Sequence, residues 1–224
     1  MSHNHSTDTP VLAHESENST RQTASTCAAN TASQTALQAN AAPTLSVESK
    51  AGLRRHLLQM RRDLAANQRA MLDAQIDQQL LNWWQVQRPT SIGVYWPIQA
   101  EADLIFAYRD LTAAGVELSL PVVQGQNLPL RYARWRPGMT MVNGAMGVPI
   151  PAEIEWLELP PVLLIPCVGH TALGYRLGYG GGFYDRTLAH APRPYTIGIS
   201  YSCLLANFAH DEHDIALDMI LTGK

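Results

Sequence analysis

Short, wholly apolar runs alternate along this chain with stretches of helical periodicity, and that alternation constrains the fold more than any other feature. Ser91–Trp96 (SIGVYW), Val116–Val123, Val162–Cys167 and Tyr195–Ser202 read as strands, and a strand apolar on both faces needs cover on both sides of its sheet. The intervening sequence supplies that cover. Asp103–Ala114 sets Leu104, Tyr108 and Leu111 on one helical face, with Gly115 as the C-terminal cap. Upstream, Leu53, Leu57, Met60 and Leu64 recur at helical spacing, while Arg54, Arg55, Arg61 and Arg62 fall off that stripe. Leu72, Ile76, Leu80 and Trp83 repeat the rhythm in a second helix. Leu128–Trp135 alternates apolar with polar and reads as a further strand, and a helix is expected near Phe183–His190. The chain closes with Asp214–Leu221. The reading is an α/β fold: a single-domain three-layer sandwich with a mainly parallel central sheet.

The 224 residues suit one domain with an appendage. Residues 1–46 hold no aromatic side chain and only Asp8, Glu15, Glu17 and Arg21 as charges, too little to offset the entropy of ordering them. We expect a disordered tail there and the folded domain over 47–224. His3, His5 and His14 are candidate metal ligands only in the sense that any floppy tail histidine is. No apolar stretch approaches the roughly 18 residues of a membrane span. A net charge of −3 offers no electrostatic ground for nucleic-acid binding. Three widely spaced cysteines, Cys27, Cys167 and Cys203, exclude a disulfide framework, and with no secretory signal they read as reduced thiols in a cytoplasmic protein.

The segment Gly174–Asp185 (GYRLGYGGGFYD) carries five of the 15 glycines. It lies between a buried strand and a helix, where main-chain N–H groups can meet phosphate. Arg176 adds a bidentate partner for phosphate oxygens, and Asp185 is placed to hold Mg²⁺. No GKS or GKT follows, so this is not a Walker loop, and Phe183 breaks the dinucleotide fingerprint. From the residues alone, a phosphate site and a flexible turn both stand. Fourteen arginines accompany only two lysines, Lys50 and Lys224, which singles out Lys50 within the body of the chain. A solvated helix residue is the plain alternative. Arg131, Arg134 and Arg136 read either as contacts for an anionic tail or as a solvated strand face.

RLGYGGGFYDR closely resembles the signature of the 5-formyltetrahydrofolate cyclo-ligase (methenyltetrahydrofolate synthetase) family. Four further landmarks follow the family's order over roughly Ser49–Leu221: Lys50-x-x-x-Arg54, Tyr95–Glu101 (YWPIQAE), Gly147–Pro151, and His213–Asp218. The resemblance implies that Lys50, Arg54 and the loop Arg176, Leu177, Gly178, Tyr179, Gly180, Gly181, Gly182, Phe183 and Tyr184 bind ATP. It implies that Trp96, Glu101 and Tyr179–Phe183 face the folate, that Asp185 and Asp214 hold Mg²⁺, and that Glu101, Arg176 and Tyr184 carry catalysis. Two departures stand out. Pro166–Thr171 (PCVGHT) replaces a Pro-Gly-x-Ala-Phe-Asp common in relatives, and Phe183 replaces a common tyrosine.

The implied reaction is an ATP- and Mg-dependent C–N ligation that converts 5-formyltetrahydrofolate to 5,10-methenyltetrahydrofolate, ADP and phosphate. It needs no protein nucleophile, only positioned reactants and stabilised phosphoryl charge. Small-molecule substrates, no nucleic acid, no membrane and a monomer are expected. A non-catalytic nucleotide- or folate-binding relative is the alternative. A sugar-phosphate isomerase or acyl-CoA transferase with a similar core is another, and an ATP requirement discriminates it.

Overall fold

The computed structural model describes residues 49–223. The tail expected over 1–46, with its histidines and Cys27, lies outside the described residues.

Two helices open the fold: α1 (Lys50–Asp63), capped by Ser49 Oγ accepting from the Gly52 N–H at 3.1 Å, and α2 (Ala66–Gln87). Next come β1 (Ser91–Gly93), α3 (Ile105–Ala113), β2 (Glu117–Val123) and β3 (Leu130–Arg134). Three short strands follow: β4 (Met141–Asn143), β5 (Pro149–Pro151) and β6 (Trp156–Leu157). Then come β7 (Val162–Pro166), the strand pair β8 (Gly169–His170) and β9 (Arg176–Leu177), α4 (Phe183–Leu188), β10 (Tyr195–Ile199) and β11 (Met219–Leu221).

Seven strands form the central sheet in the order β11-β10-β7-β1-β2-β3-β6. The first five run parallel, and β3 and β6 are antiparallel at one edge. Side chains alternate across the sheet with the strand period of two. On β7, Val162 and Leu164 join the core beneath Leu57 of α1, Ile76 and Leu80 of α2, and Tyr108 and Leu111 of α3. Leu163 and Ile165 point to the other face, against Tyr132, Leu188 of α4 and Leu217. Helices above, sheet between, and α4 with the 215–217 segment below make the three expected layers. Gly93 sits where the centre is tightest. A Cβ there would lie 2.6 Å from Leu163 Cδ2 and 2.7 Å from Tyr132 Cε1.

Several boundaries differ from the sequence reading. The ladder of β1 ends at Gly93, although the Val94 N–H still donates to the Ser119 carbonyl at 2.8 Å. The chain then leaves the sheet at Pro97, which has no N–H to continue pairing. Helix α4 stops at Leu188 instead of reaching His190, because Pro192 lacks the N–H that would bond back to the Leu188 carbonyl. The pairs β4–β5 and β8–β9 were not foreseen; strands of two or three residues are too short to show a period. Arg61, read as off the apolar stripe of α1, is 1% exposed.

Candidate active site

Parallel sheets bind ligands beyond the C-terminal ends of their strands, at the point where successive connections depart in opposite directions. Here that point lies between β1 and β7. From β1 the sheet grows to β2 on one side and to β7, β10 and β11 on the other. The segment leaving β1 carries Trp96 to Glu101, and the segment beyond β7 leads into the glycine loop. Between them opens a cavity of about 460 Å³, within the range of small-molecule sites.

Every residue to which the family resemblance gave a role lines this one cavity: Lys50, Arg54, Trp96, Glu101, the run Arg176–Tyr184, Asp185 and Asp214. They come from four chain segments separated by tens of residues. The loop is glycine-rich for a physical reason. Gly180 has φ +94°, and a Cβ there would meet the Arg54 guanidinium carbon at 3.5 Å. Arg54 Nε in turn donates to the Gly178 carbonyl at 2.8 Å, so α1 and the loop approach each other main chain to guanidinium.

The charges at the site form two linked groups. Lys50 Nζ donates to Asp211 Oδ2 at 2.6 Å and to Asp214 Oδ2 at 2.9 Å. Partial burial works against the Lys50 charge, but the two carboxylates outweigh it and hold the ammonium pKa above the ordinary lysine value. Burial likewise opposes ionisation of Asp214. The Asp211 N–H and Lys50 overcome it and keep this carboxyl below the usual range. Arg176 NH2 donates to Asp185 Oδ1 at 2.6 Å, and its NH1 to the Ile215 carbonyl at 3.2 Å. Its side chain is 5% exposed, so its position is set by the fold and not by solvent.

Glu101 is buried, with Oε2 accepting from the Ile98 N–H at 2.9 Å and Oε1 from the Tyr179 hydroxyl at 2.7 Å. Burial raises its pKa; the two hydrogen bonds and the Arg61 charge offset only part of that. Trp96 is half-buried and packs edge-on against Trp135 at 6.1 Å, leaving part of its ring toward the cavity. Met146, Val148 and Ile150, from the turn and strand of the β4–β5 hairpin, add apolar lining. Met146 is 74% exposed, unusual for a large apolar side chain.

Sequence reasoning missed Asp211, which shares Lys50 with Asp214, and Arg61, whose buried guanidinium stands behind the loop. The signal for Arg61 was its neighbourhood: it lies seven residues past Arg54, two helical turns, on a face that the apolar stripe borders. Arg131, Arg134 and Arg136 do not line the cavity. Arg131 lies over the Trp156 ring at 4.2 Å, and Arg134 pairs with Glu117 and Glu155, which favours the solvated-strand reading. Cys167 is 1% exposed, and burial pushes its thiol up to about 12. A thiol that remains protonated is no nucleophile. His170 and Thr171 line a separate depression together with Leu205 and Leu217, and His170 Nδ1 lies 3.0 Å from Ser200 Oγ. Of PCVGHT only Pro166, the residue it shares with the common pattern, lines the cavity, so its departures lie outside the cavity wall.

The chain matches the model of the 5-formyltetrahydrofolate cyclo-ligase family over residues 46–223. It is 32% identical over 191 residues to a 5-formyltetrahydrofolate cyclo-ligase of Mycolicibacterium smegmatis, covering 80% of this chain and 96% of that one. The corresponding Mus musculus protein is 25% identical over 188 residues, covering 77% and 93%. Among solved structures, a 5,10-methenyltetrahydrofolate synthetase from Mycoplasma pneumoniae superposes with a TM-score of 0.65 at 28% identity, covering 77% of this chain and 98% of that one. The Aquifex aeolicus 5,10-methenyltetrahydrofolate synthetase gives 0.67 at 28% identity, covering 77% and 89%.

Proposed function

The chain belongs to the 5-formyltetrahydrofolate cyclo-ligase family, and from that premise we propose that it closes 5-formyltetrahydrofolate to 5,10-methenyltetrahydrofolate at the expense of ATP. The observation that carries the reading is the convergence of α1, the exit of β1, the glycine loop and Asp214 on one cavity.

The chemistry explains the residue types. Nitrogen donation makes the N5-formyl carbonyl a poor electrophile, and its oxygen leaves badly. The formyl oxygen attacks the γ-phosphorus of ATP, ADP departs, and an imidate phosphate forms. N10 then attacks the activated carbon and loses its proton, and phosphate carries away the former formyl oxygen. Both steps need alignment and stabilised phosphoryl charge more than covalent help from the protein. Lys50, Arg54 and Arg176 supply cations around the polyphosphate, and the loop amides from Gly178 to Gly182 supply neutral donors. Trp96 and Phe183 offer flat apolar contact to the pteridine and its aromatic extension. Glu101 keeps lone pairs free beyond its two internal hydrogen bonds, and so accepts from the folate near N10. Tyr184 packs beneath Arg176, whose guanidinium carbon is 5.9 Å from its ring centre, and steadies that cation.

The donor set fits Mg²⁺. Asp185 and Asp214 offer hard oxygen ligands on the same cavity, and a magnesium ion is ordinarily held by one or two carboxylates together with phosphate oxygens and water. A bound ion would supply positive charge that offsets the charge developing on the phosphoryl oxygens. Asp185 must loosen its bond to Arg176, and Asp214 its bond to Lys50, as the cations turn to the phosphates. Free thiols at Cys167 and Cys203 accord with a cytoplasmic location, and among the described residues no helix is long and apolar enough to cross a membrane.

The test is turnover of 5-formyltetrahydrofolate with Mg-ATP, followed by the near-ultraviolet absorbance of the conjugated methenyl product, with ATP omitted as control. ATP-dependent product is the expected result. A folded protein that binds ATP and forms no product would favour the non-catalytic relative.

A further inference from the structure

Arg61 is the largest fully buried side chain described, and no carboxylate pairs with it directly. A guanidinium taken out of water needs its donors filled and a counter-charge nearby. Each of its three nitrogens finds one acceptor, and the acceptors come from three different segments. Nε donates to the Gln99 carbonyl at 3.0 Å, NH1 to the Cys167 carbonyl at 3.3 Å, and NH2 to the Tyr179 hydroxyl at 2.6 Å. Tyr179 passes its own proton donor on to Glu101 Oε1 at 2.7 Å. The counter-charge is therefore Glu101, reached through one phenol.

Two of the three anchors, Gln99 and Tyr179, line the cavity. Gln99 and the following Ala100 have φ of 47° and 61°, a left-handed pair that non-glycine residues rarely adopt. That kink turns the chain so that Glu101 faces back toward the cavity, and the Arg61 bond to the Gln99 carbonyl braces it. Cys167 directly follows β7. Tyr179 belongs to the glycine loop. The planar fork of arginine suits this three-way hold, whereas the single ammonium of lysine cannot span it.

We propose that Arg61 is a positioning residue that works through Tyr179, tying the nucleotide loop to the folate-facing carboxylate Glu101 so that the two halves of the site are set together. The role rests on the cyclo-ligase reading. Because the Tyr179 hydroxyl serves both Arg61 and Glu101, a change at either end is felt at the other.

The experiment reads Glu101 in two ways. In the ligand-free protein, ¹³C NMR of labelled glutamate carboxyls, assigned with Glu101→Gln, gives the Glu101 titration directly. In turnover, kcat/KM for 5-formyltetrahydrofolate is measured against pH. The groups facing Glu101 are Arg61 of α1, Tyr179 and Tyr184 of the loop and its helix, Tyr95 beside β1, and Cys167. The tyrosines and the thiol are all raised by burial and stay neutral across the range, so Arg61 is the only one of these groups that carries a charge. Arg61→Met and Tyr179→Phe should each raise the Glu101 titration, and the acid limb of kcat/KM with it, by about one pH unit. The double variant should add little to either. Arg61→Lys should restore much of the charge effect while kcat/KM at the plateau stays about 10-fold down, since the fork is lost. If Arg61→Met does not fold, Tyr179→Phe alone decides, because it removes one hydroxyl from a side chain that is 37% exposed. A Glu101 titration unmoved in the folded variants overturns the proposal. So does a titration that moves while the acid limb stays. Absence of turnover in the unaltered protein would instead strike the cyclo-ligase reading, with the NMR titration still judging the link.

Discussion

Asp77 offers a quantitative test of how this fold is held together. It lies in the middle of α2, is 7% exposed, and Oδ1 accepts from the Ala107 N–H at 3.2 Å. It therefore caps the first turn of α3 from a neighbouring helix, in a place where Leu104 supplies no side-chain cap. Burial pushes its carboxyl up to about 7; the Ala107 bond pulls the other way, and the charges of Asp73, Asp103 and Asp110 push further up. The raised pKa means that the folded state prefers the protonated form. Stability from this group is complete below the unfolded value of 3.8 and is lost as pH rises through about 7. A displacement of about three units corresponds to roughly 4 kcal/mol. Asp77→Asn keeps an acceptor for Ala107 and cannot ionise. With some of the penalty relieved in the native protein by local relaxation, the variant should be more stable at pH 8 by about 2–4 kcal/mol. That gain corresponds to a melting temperature higher by about 5–10 °C. At pH 3.5 the two proteins should agree within about 0.5 kcal/mol. Chemical denaturation and thermal melts at both pH values measure this. A variant no more stable at pH 8, or one stabilised equally at both values, refutes the assignment of a protonated cap.

Asp185→Ala should reduce turnover by at least about 100-fold and weaken its dependence on Mg²⁺ concentration, as removal of a metal-holding carboxylate does; unchanged turnover would remove Asp185 from that role. Gly180→Ala forces a side chain into φ +94° beside Arg54. It should raise the KM for ATP by about 10-fold or more while the melting temperature moves little, because the strain falls on an exposed loop. Gly93→Ala drives a methyl into Leu163 and Tyr132 at the sheet centre, and urea unfolding should show a loss of about 1–3 kcal/mol or more.

Much of this architecture was legible before any coordinates. Leu104 at the N-terminal cap of α3 and Tyr108 and Leu111 within it are buried together as their spacing required, and the apolar runs at β1, β2, β7 and β10 became the centre of the sheet. Local pattern reports these because burial on one face or on both repeats along the element itself. The β4–β5 and β8–β9 pairs left no such trace. Met146, in the turn of the β4–β5 pair, lies in a segment that shows no period.

The glycine loop stood out from its own residues as a phosphate site or a turn, whereas Lys50, Arg54, Glu101 and Asp214 were given roles only by the resemblance to the cyclo-ligase family. Which of them meet was decided only in three dimensions. Asp214 lies 164 residues from the lysine it holds, and Tyr179 lies 78 from the carboxylate it serves. Arg61 shows the limit most plainly. Its place on α1 fell off the apolar stripe, and an arginine's sequence neighbours do not report what packs over it. Closing β7, the β1 exit and the loop around that helix buried the guanidinium and gave each of its nitrogens an acceptor. Periodicity follows from repeats within an element, so the sequence carries it. A hydrogen bond between distant segments depends on how the elements close on one another, and only the folded chain specifies that.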